Sequence, residues 1–343
     1  MRHSPAYDRR TRCWCAGLSL LLCLTSRVAS GQDNESMARC FRPSAESGLL
    51  GNDDPWIIRK RVTEVTLFFT ASDRHRFVQE LAPEDVNVSE EGRRVDKISG
   101  FRRQSDLPFR LGLLIDTSGS VNPQFRFEKE SAIRFLRRMV RPGTDLAFVM
   151  GFSDHLHLTR DFTDDVDSLE HGVTALENRG GTALFDAIRE ASDKLAAATD
   201  DQPVARVLII LSDGDDNASQ AAFTQALDSV VREDVTIYTV NTRPYSMDPP
   251  GTHATHEGDA ILRRLAEQTG GRAFSRMNAS EVAKAFAAIE EEMRNRFALS
   301  YRPLNLTEDG RFRWVQITAR RSGHKLRVNA RKGYYARLKP LTE

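Results

Sequence analysis

One stretch of ten residues, 111–120, limits what this chain can fold into. Its first half is a continuous apolar run, and its second half places oxygen-bearing side chains at alternate positions: Asp116, Ser118 and Ser120. A short apolar run that ends abruptly in a polar loop is typical of a central strand in a parallel sheet, since both faces of such a strand are covered. Carboxylate and hydroxyl oxygens, without sulfur or imidazole, suit a hard cation such as Mg2+, Mn2+ or Ca2+.

Two later stretches can complete this set of oxygen ligands. Thr182 follows two glycines at the start of a predicted helix, and Asp213 follows a second apolar strand, residues 208–212. In an open α/β sheet, ligands gather outside the carboxyl ends of the strands, at the point where the strand order reverses. We therefore expect these residues to share one edge of a sheet and to bind a metal ion there.

The five residues, in this order, resemble the complete metal-ion-dependent adhesion site of von Willebrand factor A domains. The resemblance covers roughly residues 108–290 and implies a doubly wound, mostly parallel, Rossmann-like α/β domain, to which residues 107–295 are assigned. It also implies that Ser118, Ser120 and Thr182 bind the cation directly. Asp116 and Asp213 would then act largely through bridging waters or switch in as direct ligands.

A cation held in this way has few direct anionic ligands, so it keeps much of its charge and an open coordination position. A glutamate or aspartate carboxylate of a partner protein can fill that position, and the metal is then shared across an interface. Mg2+ prefers octahedral oxygen geometry and retains waters, one of which a carboxylate can replace. The predicted cofactor is Mg2+ or Mn2+ in preference to Ca2+, and the predicted partner is a protein that offers an acidic residue.

Residues 1–30 have the three parts of a secretory signal peptide. Arginines at positions 9, 10 and 12 form a basic start, residues 16–25 form an apolar run too short to span a bilayer, and residues 28–30 resemble a small-residue cleavage site. We expect export to the periplasm or the medium; an uncleaved N-terminal anchor is the alternative. Only Cys40 would survive cleavage, so no disulfide within one mature chain is expected.

The remaining segments flank the predicted α/β domain. Residues 31–58 are polar and indicate a flexible lead-in. Residues 59–106 predict a small all-β module with a hairpin that turns at Glu91 and Gly92, and residues 296–338 predict further short strands. We hypothesise that these C-terminal strands pack on the N-terminal module, because few strands are marginal alone. Both flanks also resemble parts of bacterial VWFA-related proteins.

Charge and missing motifs argue against several classes of function. The net charge is +1 and becomes −3 without the predicted signal peptide, which holds five arginines and one aspartate. The sequence has no basic stripe of the kind that would indicate nucleic-acid binding. The P-loop, the dinucleotide-binding GxGxxG and the GxSxG of hydrolases do not occur. The leading interpretation is an exported, non-enzymatic binding or adhesion protein, whose oligomeric state the sequence does not determine.

Two interpretations from other classes stay open. The chain could be a scaffold subunit of an ATPase or envelope assembly complex, although the ATPase role needs a cytoplasmic location that the predicted signal peptide speaks against. It could also be a metal-dependent hydrolase, for which no dedicated base is apparent.

Several side chains near the predicted site are given no ligand role. Asp154 and His155 fall in a predicted hairpin turn. Residues 215–217, just beyond Asp213, are interpreted as a solvated turn; the alternative is that they surround the site and raise its affinity for the cation. The spacing of His253 and His256 is not diagnostic of zinc.

Overall fold

The residues that this computed structural model describes form one helix-flanked sheet and two antiparallel sheets. They are residues 64–74, 76–103, 105, 107–118, 125–178, 180–198, 203–243, 257–275 and 279–336. All of them belong to one unit of the chain, Lys60–Glu343. The predicted signal peptide, the predicted lead-in and Cys40 lie outside the described residues.

Five short strands come first in the described chain. They are β1 (Val65–Asp73), β2 (Arg76–Phe77), β3 (Val86–Glu90), β4 (Arg93–Arg94) and β5 (Ile98–Arg103). Strand β3 buries Val86 and Val88 on one face, which is the alternation expected of an antiparallel strand with one covered side. The hairpin from β3 to β4 turns at Glu91 and Gly92, which both have the positive φ angles of a two-residue type I′ turn.

Strands and helices then alternate, and this part of the chain carries the predicted site. The elements are β6 (Phe109–Asp116), α1 (Phe125–Met139), β7 (Leu146–Phe152), β8 (Leu156–Thr163), α2 (Val166–Thr174), α3 (Leu184–Ala197), β9 (Ala205–Ser212), α4 (Phe223–Arg232), β10 (Val235–Asn241), α5 (Glu257–Thr269), β11 (Ala273–Phe274) and α6 (Ala279–Arg294). The strands form one sheet in the order β11-β10-β9-β6-β7-β8, and only the β7–β8 pair is antiparallel. The predicted doubly wound, mostly parallel α/β fold is confirmed.

Helices cover both faces of this sheet because its central strands are apolar on both sides. In β6, Leu113 packs into a core with α1, α2 and α6, while Leu114 packs into the opposite core with α3, α4 and α5. A fully buried leucine contributes about 1.5–3 kcal/mol relative to an exposed one. The chain leaves β6 toward β7 on one side and later returns to β9 on the other, so the strand order reverses between β6 and β9.

The last five strands complete the two antiparallel sheets begun by the first five. They are β12 (Arg296–Tyr301), β13 (Phe312–Arg321), β14 (His324–Lys325), β15 (Arg327–Ala330) and β16 (Gly333–Tyr335). Strand β12 lies between β1 and β5, and β13 pairs with β3. Residues from both ends of the described chain, such as Phe69, Leu299 and Ile317, share one apolar core. The domain boundaries assigned from the sequence remain predictions.

The helices of the described residues include no candidate for a membrane span. Among those in the described part of the chain, none is long and apolar enough to cross a bilayer.

Candidate metal centre

Asp116 is the last residue of β6, and its carboxylate joins two strand ends. Its Oδ1 accepts a hydrogen bond from the backbone N–H of Ser118 at 2.9 Å, and its Oδ2 accepts one from the Ser212 hydroxyl at 2.7 Å. The first contact is the local turn that an aspartate makes with a residue two positions later. The second crosses to β9, where Ser212 directly precedes Asp213. The two predicted acidic positions are therefore brought to the same edge of the sheet.

Burial and mutual repulsion make this edge unfavourable for negative charge. The pKa of Asp116 is raised to about 6, chiefly because the carboxylate is buried and with a smaller contribution from Asp213, although hydrogen bonds from Ser212 and Ser118 oppose the shift. The pKa of Asp213 is also raised, again mainly by burial and further by Asp215. Concentrated and poorly solvated carboxylates are an environment that a divalent cation stabilises.

A third acid, Glu128, lies close to this group, and the sequence patterns did not single it out. It occupies the first turn of α1, is 3% exposed, and continues the buried stripe formed by Ala132, Phe135 and Met139. Its pKa is raised to about 8, first by burial and then by repulsion from Asp116. An acidic residue at the start of an otherwise apolar stripe was the available signal.

Thr182 is held by the loop that follows β9. Its backbone N–H donates to Oδ1 of Asn217 at 2.8 Å, and its carbonyl oxygen accepts from the N–H groups of Asn217 and Ala218, both at 3.0 Å. The next residue, Ala183, donates its N–H to the carbonyl oxygen of Ser153 at 2.7 Å. Thr182 is thus buried where the loops after β7 and β9 meet.

Two glycines let these loops approach one another. Gly180 has φ +74°, and a Cβ atom there would stand 2.2 Å from Oδ1 of Asp154, in the turn between β7 and β8. Gly214 has φ +85°, and a Cβ atom there would stand 2.4 Å from the carbonyl oxygen of Gly258 at the start of α5. Both positions favour glycine for two reasons: other residues rarely adopt these φ values, and a Cβ atom would collide with the neighbouring loop.

The interpretation of residues 215–217 as a solvated turn is right about exposure, since Asp215 and Asn217 are exposed, but it missed the contacts that two of these side chains make. Asp216 accepts the backbone N–H of Phe185 at 3.0 Å, and Asn217 bonds to Thr182 as described above. These side chains therefore connect the β9 loop to the start of α3, because their oxygens satisfy backbone donors that α3 itself leaves open. Asp215 remains exposed and pairs with Arg243.

Four of the five predicted ligands lie in the described chain: Asp116, Ser118, Thr182 and Asp213. Ser120, His253 and His256 lie outside it. Within the described residues, no three histidine, cysteine or acidic side chains are grouped so as to bind a metal. The available donors are oxygens, namely two strand-end carboxylates with neighbouring hydroxyls, and this donor set fits a hard cation. Which residues ligate it remains a prediction.

Comparison with known families gives a match in the part of the chain that carries these residues. Residues 111–215 match the family described as von Willebrand factor type A domain. No curated protein matches the chain.

Three similar solved structures illustrate the range of matches. An aerotolerance-related membrane protein from Bacteroides fragilis is 17% identical, with 54% of this chain and 98% of that chain covered and a TM-score of 0.43. A von Willebrand factor type A protein from Catenulispora acidiphila is 13% identical, with 69% and 68% covered and a TM-score of 0.46. Proximal thread matrix protein 1 from the mussel byssus, with a zinc-occupied MIDAS motif, is 15% identical, with 57% and 48% covered and a TM-score of 0.45.

Proposed function

This chain carries a von Willebrand factor type A domain, and on that premise we propose that it is an exported, non-enzymatic binding module. It holds Mg2+ or Mn2+ at one edge of its central sheet and captures an acidic residue of a protein ligand there. The proposed metal ligands are Asp116, Ser118, Ser120, Thr182 and Asp213.

The observation that carries this proposal is the convergence of three loops. The Asp116 carboxylate bonds to Ser212 beside Asp213, and the backbone of Thr182 bonds to Asn217 in the loop that continues from Asp213. Residues distant in sequence thus meet at the carboxyl ends of β6 and β9, where the strand order reverses. This is the place where open α/β sheets bind ligands, and the described side chains that meet here, those of Asp116, Ser118, Thr182 and Asp213, carry oxygen donors.

The proposed ligands at this edge are of two kinds, neutral hydroxyl oxygens and charged carboxylate oxygens. Ser118, Ser120 and Thr182 offer hydroxyls, which do not cancel positive charge. Asp116 already accepts two hydrogen bonds, which orient its carboxylate before any ligand arrives. When bound, the cation supplies an open coordination position and residual positive charge for an incoming carboxylate.

The first test is a thermal melt in Mg2+, Mn2+, Ca2+ or EDTA. A cation at about 100 times its Kd adds roughly 2.7 kcal/mol to the free energy of unfolding, which for a chain of this size raises the Tm by about 5–10 °C. Asp116→Asn keeps the shape and an acceptor for the Ser118 N–H, and it should lose most of this shift. Asp167→Asn removes an exposed acid from α2 and should keep it. The absence of a shift with every cation would contradict the proposal.

The second test concerns capture of an acidic group. Peptides that each carry one glutamate, and matched peptides with glutamine in its place, are immobilised and exposed to the protein with Mg2+ or with EDTA. We expect binding only to glutamate peptides and only with Mg2+, because the carboxylate must reach the metal. Equal binding to both series, or binding in EDTA, would refute capture through the cation.

A further inference from the structure

The loops that carry Thr182 and Asp213 are joined by a set of hydrogen bonds, which we call the loop clasp. On one side it contains Thr182, Phe185 and Asp186, and on the other side Asp216, Asn217, Ala218, Ser219, Gln220 and Ala221. The two halves are about 35 residues apart in sequence, so the clasp forms only in the folded domain.

Helix α3 depends on the clasp for its N-terminal cap. The residue at the cap position is Ala183, whose side chain has no oxygen to accept the open N–H groups of the first turn. The Ser219 hydroxyl accepts the N–H groups of Phe185 at 3.0 Å and Asp186 at 3.1 Å. In return, the Asp186 carboxylate accepts the N–H groups of Gln220 at 2.8 Å and Ala221 at 3.0 Å.

Asn217 acts on the predicted metal ligand itself. Its side-chain oxygen accepts the N–H of Thr182, and its own N–H donates to the carbonyl oxygen of the same residue. The space for this contact exists because residue 181 is glycine: a Cβ atom there would stand 2.8 Å from Oδ1 of Asn217. Both backbone polar groups of Thr182 are thereby fixed by one residue.

We propose that Asn217 is a positioning residue of the metal centre, which holds Thr182 ready to ligate the cation. The inference rests on the proposed function. Threonine is branched at Cβ and has few χ1 rotamers, so the orientation of its backbone largely sets the direction of its hydroxyl. A hydroxyl that is held in place before binding loses little conformational freedom when the metal arrives. Such supporting residues typically change metal affinity by 10–100-fold when they are replaced.

Three variants of the full chain separate positioning from general loop stability. Asn217→Ala removes the acceptor for the Thr182 N–H, and Asn217→Asp restores it. Asp186→Ala is the matched control, since it removes two hydrogen bonds between the same loops without touching Thr182. Each variant is titrated with Mn2+ alone by calorimetry, and each is melted in EDTA to measure its metal-free stability.

We expect Asn217→Ala to weaken Mn2+ binding by about 10-fold or more. The Mn2+ affinity of Asn217→Asp should be no more than about threefold weaker than that of the wild type. The Mn2+ affinity of Asp186→Ala should also be no more than about threefold weaker, although this variant melts at a lower temperature. Gly181→Ala should also weaken Mn2+ binding. The added Cβ atom pushes the Asn217 side chain away from Thr182, although Asn217 itself is not replaced.

The outcomes distinguish this inference from the proposed function. The wild type is also titrated with Mg2+. If it binds neither Mn2+ nor Mg2+, the proposed function fails, and the inference fails with it. If the wild type binds but Asn217→Ala has unchanged affinity, only the inference fails. It also fails if Asp186→Ala weakens binding as much as Asn217→Ala does, because the effect would then belong to loop stability in general.

Discussion

Asp116 shows how one buried carboxylate can be costly for the fold and useful for a site. Its two oxygens accept hydrogen bonds from Ser118 and Ser212, yet burial still raises its pKa to about 6 from the ordinary value of 3.8. The charged form is therefore destabilised in the folded protein without metal. This cost is the one that a bound cation would offset at the site proposed above.

This cost predicts a dependence of stability on pH in EDTA. Because the folded-state pKa of Asp116 is raised, its contribution is fully present below about pH 4 and is lost as the pH rises through about 6. The wild type should therefore lose on the order of 1–3 kcal/mol relative to Asp116→Asn across that interval. Near pH 8 the difference should increase further, because Glu128, whose pKa is raised to about 8, then becomes charged and is repelled by Asp116 in the wild type alone. Denaturant melts at pH 4, 5, 6 and 8 measure it.

The metal-loaded protein supplies the control for this prediction. With saturating Mg2+ at pH 8, the wild type should recover more stability than the variant, because the variant has lost one of the two strand-end carboxylates, Asp116, and keeps only Asp213. A wild type that is more stable than the variant in EDTA at pH 8 would contradict the assignment of a raised pKa.

At the scale of elements, buried polar side chains decide how strands and helices are joined. Helix α3 takes its cap from Ser219 in the loop after β9, since Ala183 cannot provide one. In the antiparallel sheets, Glu90 at the end of β3 is 1% exposed and accepts hydrogen bonds from the hydroxyls of Tyr301 at 3.0 Å and Tyr334 at 3.1 Å. This carboxylate joins β3, β12 and β16 inside the shared core.

Replacement of Glu90 should show how much this junction contributes. Glu90→Ala leaves two buried hydroxyls without their partner and opens a small cavity, so we expect a loss of about 3–5 kcal/mol in the free energy of unfolding. Glu90→Gln keeps an oxygen acceptor of the same shape and should cost less than half as much. Urea unfolding at pH 7 measures both. Equal losses would mean that charge, rather than hydrogen bonding, is what the core requires.

At the scale of the whole molecule, the α/β domain is inserted in the sequence between the two groups of strands that form the antiparallel sheets. The chain leaves the antiparallel sheets at β5, builds the central sheet with its helices, and returns at β12, which pairs with both β1 and β5. Strand β1 therefore has its main partner more than two hundred residues later. Apolar residues of the two groups, such as Phe69 and Leu299, pack in one shared core.

Removal of the returning strands should unfold the first ones. In a chain that ends at Arg294, β1, β3 and β5 lose β12 and β13, so their core residues are exposed to water. We expect trypsin to cut at Arg74, Arg76 and Arg93 much faster than in the full chain, as followed by mass spectrometry. Removal of residues 337–343 alone should leave these sites protected. Equal protection in both truncated chains would show that the N-terminal strands fold by themselves.

What the sequence determined by itself is what local patterns encode. The apolar runs that end in Asp116 and Asp213, and the alternation of strands with helices, predict a mostly parallel α/β fold, which is confirmed. The resemblance to von Willebrand factor A domains is confirmed by the family match over residues 111–215. Such patterns work because burial on two faces and periodicity are properties of short segments. The ligand set, including Ser120, and the assigned domain boundaries remain predictions.

The tertiary structure alone decided which distant residues support the site. Asp116 bonds to Ser212, 96 positions away, and Thr182 bonds to Asn217, 35 positions away. Glu128 is buried beside Asp116 because the helix that follows β6 packs back on the sheet. No local pattern distinguishes this asparagine from one in a solvated turn, and the one local signal for the glutamate is its place at the start of the apolar stripe of α1. The difference arises only when hydrogen-bonding groups from separate loops are brought together and water is excluded from between them.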